Sequence, residues 1–324
     1  MSLFRRLAGS LSVAALAMSS PQANAQPTSV ATVRLVVPYP AGGAGDALAR
    51  LLGQTIAESN GPSLVIENRA GASSIIGTEV VARAAPDGAT LLLVENPFIL
   101  SAVLRPSVNY NPVSSFEPIC YVADTPAVLA VSSASDIHSL TEFLNAARAK
   151  PGAVSYASTG PASIVHIAGE LLKRDSKVDL TYVPYPGSPP AVNAVLGGHV
   201  TAVIANYSDL KAQLEAGQLR PIAVPAKKRI EPLPDVPTLG EAGFPGIEAS
   251  VWFGFVAPAG TAKDTLAKFS AQFSAASQAP EVRRKLAAQG LFPVLSCGAE
   301  FGGFIRTEFE KYGEFAREFN LKFE

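Results

Sequence analysis

Charge is scarce in this chain. Only 16% of its residues are charged, and the signs nearly cancel to a net −1. No basic face can be assembled from so few scattered lysines and arginines, so a nucleic-acid partner is not expected. Cysteine is rarer still: Cys120 and Cys297 are the only two, without C-x-x-C or any other metal spacing. The three histidines, His138, His166 and His199, are far apart. Neither a metal nor another cofactor is expected. No Gly-Lys-Ser/Thr follows a glycine-rich turn, and neither H-E-x-x-H nor G-x-S-x-G occurs. Those gaps remove the P-loop, zinc-peptidase and nucleophile-elbow readings. The only carboxylates near the turns described next are Asp46 and Glu95. Each has an adequate structural explanation, so no enzyme is expected.

Long apolar runs are also missing, with one short exception at the start. Arg5-Arg6 precede the run Leu7 to Met18, and Ala23-Asn24-Ala25 supplies small residues at a cleavage position. The run is too short to span a bilayer and reads as a signal peptide over residues 1–25, cleaved after Ala25. The protein is therefore expected in the periplasm. Cys120 and Cys297 would meet an oxidising compartment there. Sequence distance does not fix spatial distance, so their pairing stays open.

What is present is core-forming material: 48% hydrophobic residues and 26 prolines. The exported part is long enough for two domains. Its most informative stretch is Val33 to Ile56. Leu35, Val36 and Val37 read as a buried strand, ended by Pro38 and Pro40. Gly42, Gly43 and Gly45 permit unusual backbone angles, and Asp46 can cap the helix carrying Leu48, Leu51, Leu52 and Ile56. The product is a cluster of free N–H groups at a helix N-terminus, a natural anion site. Leu48 stands where a dinucleotide fingerprint needs its third glycine.

The pattern continues as β-α-β-α-β, with strands at Leu64–Asn68 and Leu91–Val94 and a helix over Ser74–Ala84. This is the signature of a doubly wound sheet. Asn96 follows the third strand, where such sheets place ligands. A strand at Val128–Val131 and a helix at Leu140–Ala149 come next. Ser158-Thr159-Gly160-Pro161-Ala162-Ser163 then repeats the small-residue turn before a helix, with Ser163 as N-cap and His166 in the first turn. A proline-stiffened turn follows, with Tyr185 and Gly187, and the strand Val200–Ala205 ends at Asn206. Later come a strand at Val251–Val256 and helices at Lys263–Ser277, Pro280–Gln289 and Glu300–Phe319. Two α/β halves thus aim small-residue turns at a common cleft suited to a small carboxylate. The turns carry no Lys or Arg. Backbone N–H groups, hydroxyls and water must hold the anion, at about 1 kcal/mol per neutral hydrogen bond.

The order of motifs resembles the Bug family, the TctC-like extracytoplasmic substrate-binding components of tripartite tricarboxylate transporters. The resemblance is carried by V-R-L-V-V-P-Y-P-A-G-G-x-x-D (Val33–Asp46), V-I-E-N-R-A-G (Val65–Gly71), Pro86-Asp87-Gly88 and Phe116-Glu117-Pro118. Further motifs are Tyr156–His166, V-P-Y-x-G (from Val183), L-P-D-V-P-T (Leu233–Thr238) and W-F-G-F-V-A-P-A-G-T (Trp252–Thr261). It implies an α/β, two-domain, type II-like periplasmic binding protein, each domain a mostly parallel sheet flanked by helices. The expected division is 26–125 plus 247–324 for one domain and 126–246 for the other, with the ligand between them. Its implied ligand contacts are Tyr39, Pro40, Ala41, Gly42, Gly43 and Ala44 on the first turn, and Ser158, Thr159, Gly160 and Ser163 on the second. Asp46, Asn96, His166, Tyr185, Gly187 and Asn206 complete the candidates. The resemblance also implies a monomer that hands its ligand to a membrane permease of one large and one small subunit. A secreted hydrolase or transferase, or a sensor partner presenting ligand to a membrane kinase, are the alternatives. Three departures bear on ligand choice: Ala162 replaces a turn glycine, and Ala194 and Ala205 stand where relatives carry aspartate. Ala194 reads as a surface change; Ala162 and Ala205 are expected near the cleft. Loss of a cleft carboxylate points away from an amino acid and towards a simple or aromatic carboxylate.

Overall fold

The computed structural model describes residues 32–160, 163–185 and 187–318. Ala162 and the expected signal peptide over residues 1–25 lie outside those residues. The chain opens with β1 (Thr32–Val37), α1 (Ala44–Glu58), β2 (Ser63–Asn68), α2 (Ile75–Ala82) and β3 (Thr90–Val94). Strands β2-β1-β3 pair in parallel in that order, as the opening pattern predicts. Then come α3 (Asn96–Leu104) and a strand of 17 residues, β4 (Phe116–Ser132). A second parallel unit follows: α4 (Leu140–Ala149), β5 (Ser155–Thr159), α5 (Ile164–Ser176), β6 (Thr181–Tyr185), α6 (Ser188–Leu196) and β7 (Ala202–Asn206). Its strands run parallel in the order β6-β5-β7. After α7 (Tyr207–Glu215) and β8 (Leu219–Ala223), the chain returns through β9 (Ser250–Pro258). It ends with α8 (Lys263–Gln278), α9 (Pro280–Ala288), β10 (Phe292–Cys297) and α10 (Ala299–Glu318).

Strand β4 joins the two parallel units. Its residues from Phe116 to Pro126 run antiparallel to β9, from Pro258 back to Ser250. From Ala127 onward it changes partners and pairs with β7 and β8 instead. The expected strand at Val128–Val131 is only the far end of this element. Glu117, Asp124 and two prolines hide the rest, since proline argues against a strand interior. The ladder tolerates Pro118 because its register shifts there, between Pro118 and Cys120.

Two further elements escape the sequence pattern for the same reason. Pro97 masks α3 in the sequence but occupies its first turn, where the missing N–H costs nothing. Pro293 sits in β10, which pairs irregularly with β4. That pairing sets Cys297 opposite Cys120, and the two form a disulfide across 177 residues of chain.

Helices cover both faces of the sheet. One core gathers Leu35, Leu48 and Leu52 with Phe253, Phe255 and Phe273, beneath α1, α8 and α9. A second holds Val128, Ala157, Val203 and Leu210 beneath α6 and α7. The largest runs under both units and includes Phe98, Phe143, Tyr156, Trp252 and Phe301. Ala194 and Ala205 are both buried in the second of these cores. Ala194 is therefore no surface change, and the Ala205 side chain belongs to packing rather than to a cleft.

Between β2 and α2 the backbone is strained. Ala72, Ser73 and Ser74 take φ of 47°, 53° and 74° in succession. Such left-handed angles cost a non-glycine residue roughly 1–2 kcal/mol each. Ala72→Gly should therefore stabilise the fold by about 0.5–1 kcal/mol in urea denaturation, because exposed Ala72 has little packing to lose. Replacing both cysteines by alanine should cost about 2–5 kcal/mol in the same assay.

Candidate functional site

The turn after β1 is built from its own side chains. Asp46 lies in the third position of α1 rather than at the cap, which is Gly43 with no side-chain cap. Asp46 Oδ2 accepts from Gly42 N at 2.9 Å and Arg50 Nε at 3.0 Å, while Oδ1 accepts from Asn68 Nδ2 at 2.9 Å. The Arg50 bond leads these contacts in holding the buried carboxyl down at about 2. Asp46 thus pins the turn from behind, and its oxygens are engaged. Gly42 needs glycine because its φ is +87°. Gly45 needs it for space: a Cβ there would come within 2.5 Å of Glu95 Oε1. The first turn of α1 keeps its N–H groups free for a guest.

That turn opens on a cavity of about 330 Å³, lined by Tyr39, Pro40, Gly43 and Ala44 on one side and Thr125, Ser208 and Asp209 on the other. A second cavity, of about 320 Å³, adjoins it. Glu95, Asn206 and Val251 line both, so the two are compartments of one cleft. The second compartment has Thr159 and Ser163 from the serine turn, Ile164 and Val165 from α5, and one face of α3. Ser163 caps α5 as expected, its Oγ accepting from His166 N at 3.2 Å and donating to Gly160 O at 3.1 Å. Four helices, α1, α3, α5 and α7, begin at the cleft. Each brings the positive end of its dipole, so the cleft favours an anion without a cluster of cations.

The other candidates divide. Asn206 lines both compartments, and its Oδ1 is buried without a hydrogen bond. Asn96 borders the cleft but is committed to β9, donating Nδ2 to Ser250 O at 3.0 Å. His166 does not line it: the ring packs at a tilt against Tyr182, with centroids 4.1 Å apart, near Glu170, and burial lowers its pKa. Ser158 is fully buried one residue before the lining Thr159, and its hydroxyl makes no hydrogen bond. Gly160 turns the chain at φ +59° and donates its N–H to Tyr185 O at 3.2 Å. Ala41, Tyr185 and Gly187 do not line either compartment.

Sequence reasoning gave Glu95 a structural explanation and left it out of the site. It lies at the junction of the two compartments, at the N-cap of α3. Among the described residues its carboxyl has no side-chain hydrogen bond. Burial pushes the carboxyl up to about 8, so it carries a proton at neutral pH. The neighbouring Tyr39 is shifted upward by burial and then by Glu95. The signal available beforehand was position: Glu95 ends a buried strand at the point where doubly wound sheets place ligands. Arg105 was also missed; it lines the second compartment at the other end of α3. The cleft therefore does contain charged residue types, contrary to the expectation drawn from the turns alone.

A sequence profile for the "Tripartite tricarboxylate transporter family receptor" matches residues 48–321. The chain belongs to this receptor family. It is 35% identical over 292 residues to the protein BugT of Bordetella pertussis, covering 90% of each chain. Among solved structures, the periplasmic binding protein BugD is 29% identical, with a TM-score of 0.73 over 90% of this chain and 98% of that one. The structure of R. palustris Rpa4515 with adipate is 32% identical, with a TM-score of 0.75 over 88% and 96%. Members of the receptor family bind solutes and are not enzymes, so this protein is a solute-binding protein, and the hydrolase or transferase alternative falls away.

The raised Glu95 pKa makes a stability prediction. The unfolded carboxyl ionises near its ordinary 4.5, whereas the folded one holds its proton to about 8. The native state therefore loses stability as pH rises through that window. Glu95→Gln, which needs no proton, should match the parent near pH 4.5 and gain on it until about pH 8. Urea titrations across that range would show a constant gap if Glu95 were not shifted.

Proposed function

We propose that this protein captures a small organic carboxylate in the cleft, in the periplasm, and delivers it to a tripartite-type membrane permease of one large and one small subunit. The observation that carries the reading is the convergence of four helix N-termini on a cleft whose junction residue, Glu95, holds a proton at neutral pH. An anion there meets donors on every side and no opposing charge at the junction. The adipate held by Rpa4515 supports a carboxylate, and the sequence supports export with cleavage after Ala25.

The first turn, Tyr39 to Ala44, and the serine turn, Ser158 to Ser163, act as two jaws. Between them Asn206 Oδ1 lines both compartments and is buried without a hydrogen bond. Buried polar groups are rarely left so. A water bridging to a ligand carboxylate would supply the missing donor. The lobes divide where β4 changes partners, between Pro126 and Ala127, and where β9 begins at Ser250. Among the described residues the chain crosses between the lobes at these two places, so the lobes can close on the ligand by small rotations. The protein works as a monomer.

Binding should be visible as stabilisation. A carboxylate present at about 100 times its Kd should add about 2.7 kcal/mol to unfolding. Thermal-shift screening of the purified protein against di- and tricarboxylates, aromatic acids and amino acids would find it. If no carboxylate moves the melting curve, this reading of the cleft is wrong.

A further inference from the structure

Helix α3 forms one long wall of the second compartment. Pro97, Leu100, Ser101 and Leu104 line it at helical spacing, so a single face of the helix is presented to the ligand space. Ile164, Val165 and Val251 form the opposing apolar surface. At the N-terminal end of the wall is Glu95, where the compartments and the helix N-termini meet. At its C-terminal end is Arg105. Glu95 and Arg105 flank α3 ten residues apart, so those ends are roughly 15 Å apart along the axis, less the reach of the arginine side chain back over the groove.

Arg105 has no acidic partner among the ion pairs of the described residues, and it lines the cavity without being fully exposed. A cation at a helix C-terminus is favourable in itself, but that does not require it to line a cavity. The one hydroxyl that α3 contributes to the wall, Ser101 Oγ, donates to Ser73 O at 2.9 Å. Nothing among the described residues of the compartment neutralises the guanidinium. The compartment thus has an anion-favouring end, an apolar middle and a cationic end.

We infer that Arg105 is a specificity-determining residue that holds a second anionic group of the ligand, so that the cleft selects elongated carboxylates with an apolar body and an anion at each end. The inference rests on the carboxylate reading above and adds the far end of the molecule to it. One carboxylate sits at the paired turns beside the protonated Glu95. The chain lies along Leu100 and Leu104, and the second carboxylate meets the guanidinium as a charge-assisted, two-point contact.

Isothermal titration of the purified protein against straight-chain dicarboxylates of four to ten carbons, beside monocarboxylates of matching length, tests this. At one preferred length the dicarboxylate should bind at least ten-fold tighter than its monocarboxylate partner. Arg105→Gln should weaken that dicarboxylate about ten- to hundred-fold and leave the monocarboxylate within two-fold. Arg105→Lys should fall between them. If monocarboxylates and dicarboxylates bind alike, or if Arg105→Gln weakens both series equally or neither, the assignment of Arg105 is overturned while the carboxylate reading stands. If neither series binds, the carboxylate reading fails and takes this inference with it.

Discussion

The antiparallel ladder between β4 and β9 is the constraint on which this molecule depends. It sets Phe116 against Pro258 at one end and Pro126 against Ser250 at the other. Beyond it β4 continues into the second unit, so one strand belongs to both sheets. Everything that meets at the cleft is positioned from this ladder. Val251 and Phe253 of β9 floor the first compartment, Thr125 of β4 accepts from Ser208 N at 3.2 Å, and Asn96 is tied to the β9 backbone at both ends of its amide. The disulfide between Cys120 and Cys297 adds a covalent tie from the same strand to β10. A buried aromatic group of Tyr121, Trp252, Phe301 and Phe304 packs across the ladder to α10. Rings in such contacts stabilise by about 0.5–1.5 kcal/mol beyond the area they bury.

A rigid crossing with few strands leaves room for function on either side of it. The strands end at the cleft, so the helices that follow must begin there. That geometric consequence of doubly wound topology turns four helix N-termini inward at α1, α3, α5 and α7. Dipole ends and N–H groups would then do what a lysine or arginine cluster does elsewhere, which is how the proposed anion site fits a chain only 16% charged. Asp46 illustrates the division of labour. Its carboxylate is close to the anion turn yet faces backward, where Gly42, Arg50 and Asn68 neutralise it. The turn gains rigidity without presenting a negative charge to the guest. Glu95 solves the same difficulty differently, by keeping its proton. Asp209, also on the cleft, is raised by burial while Ser188 Oγ donates to it at 2.7 Å.

Local rules recovered the elements whose signals are local. The strand-turn-helix of β1 and α1, the parallel run through β3, and the Ser163 cap all follow from apolar runs, small residues and a hydroxyl at a chain reversal. They also identified the two turns that border the cleft and Asn206 beside them. Local rules left the elements around Pro97, Pro118 and Pro293 unassigned, because a proline can stand in a helix's first turn, at a register shift or on an irregular edge, and only the surrounding ladder shows which applies. Gly45 was credited with backbone freedom, whereas Glu95 packed against it is what excludes a side chain.

By itself the sequence determined that this is an α/β chain with two small-residue turns that lead into helices, and with family motifs spread over nearly its whole length. Those properties are written in nearest-neighbour chemistry and in periodicity. Tertiary structure alone decided that β4 serves both sheets, that Cys120 meets Cys297, and that Ala194 and Ala205 fill a core. It also decided that Glu95 and Arg105 stand at opposite ends of one cavity wall. Each of these depends on residues distant in sequence being brought together by strand pairing, and no local pattern encodes where a side chain will lose its water.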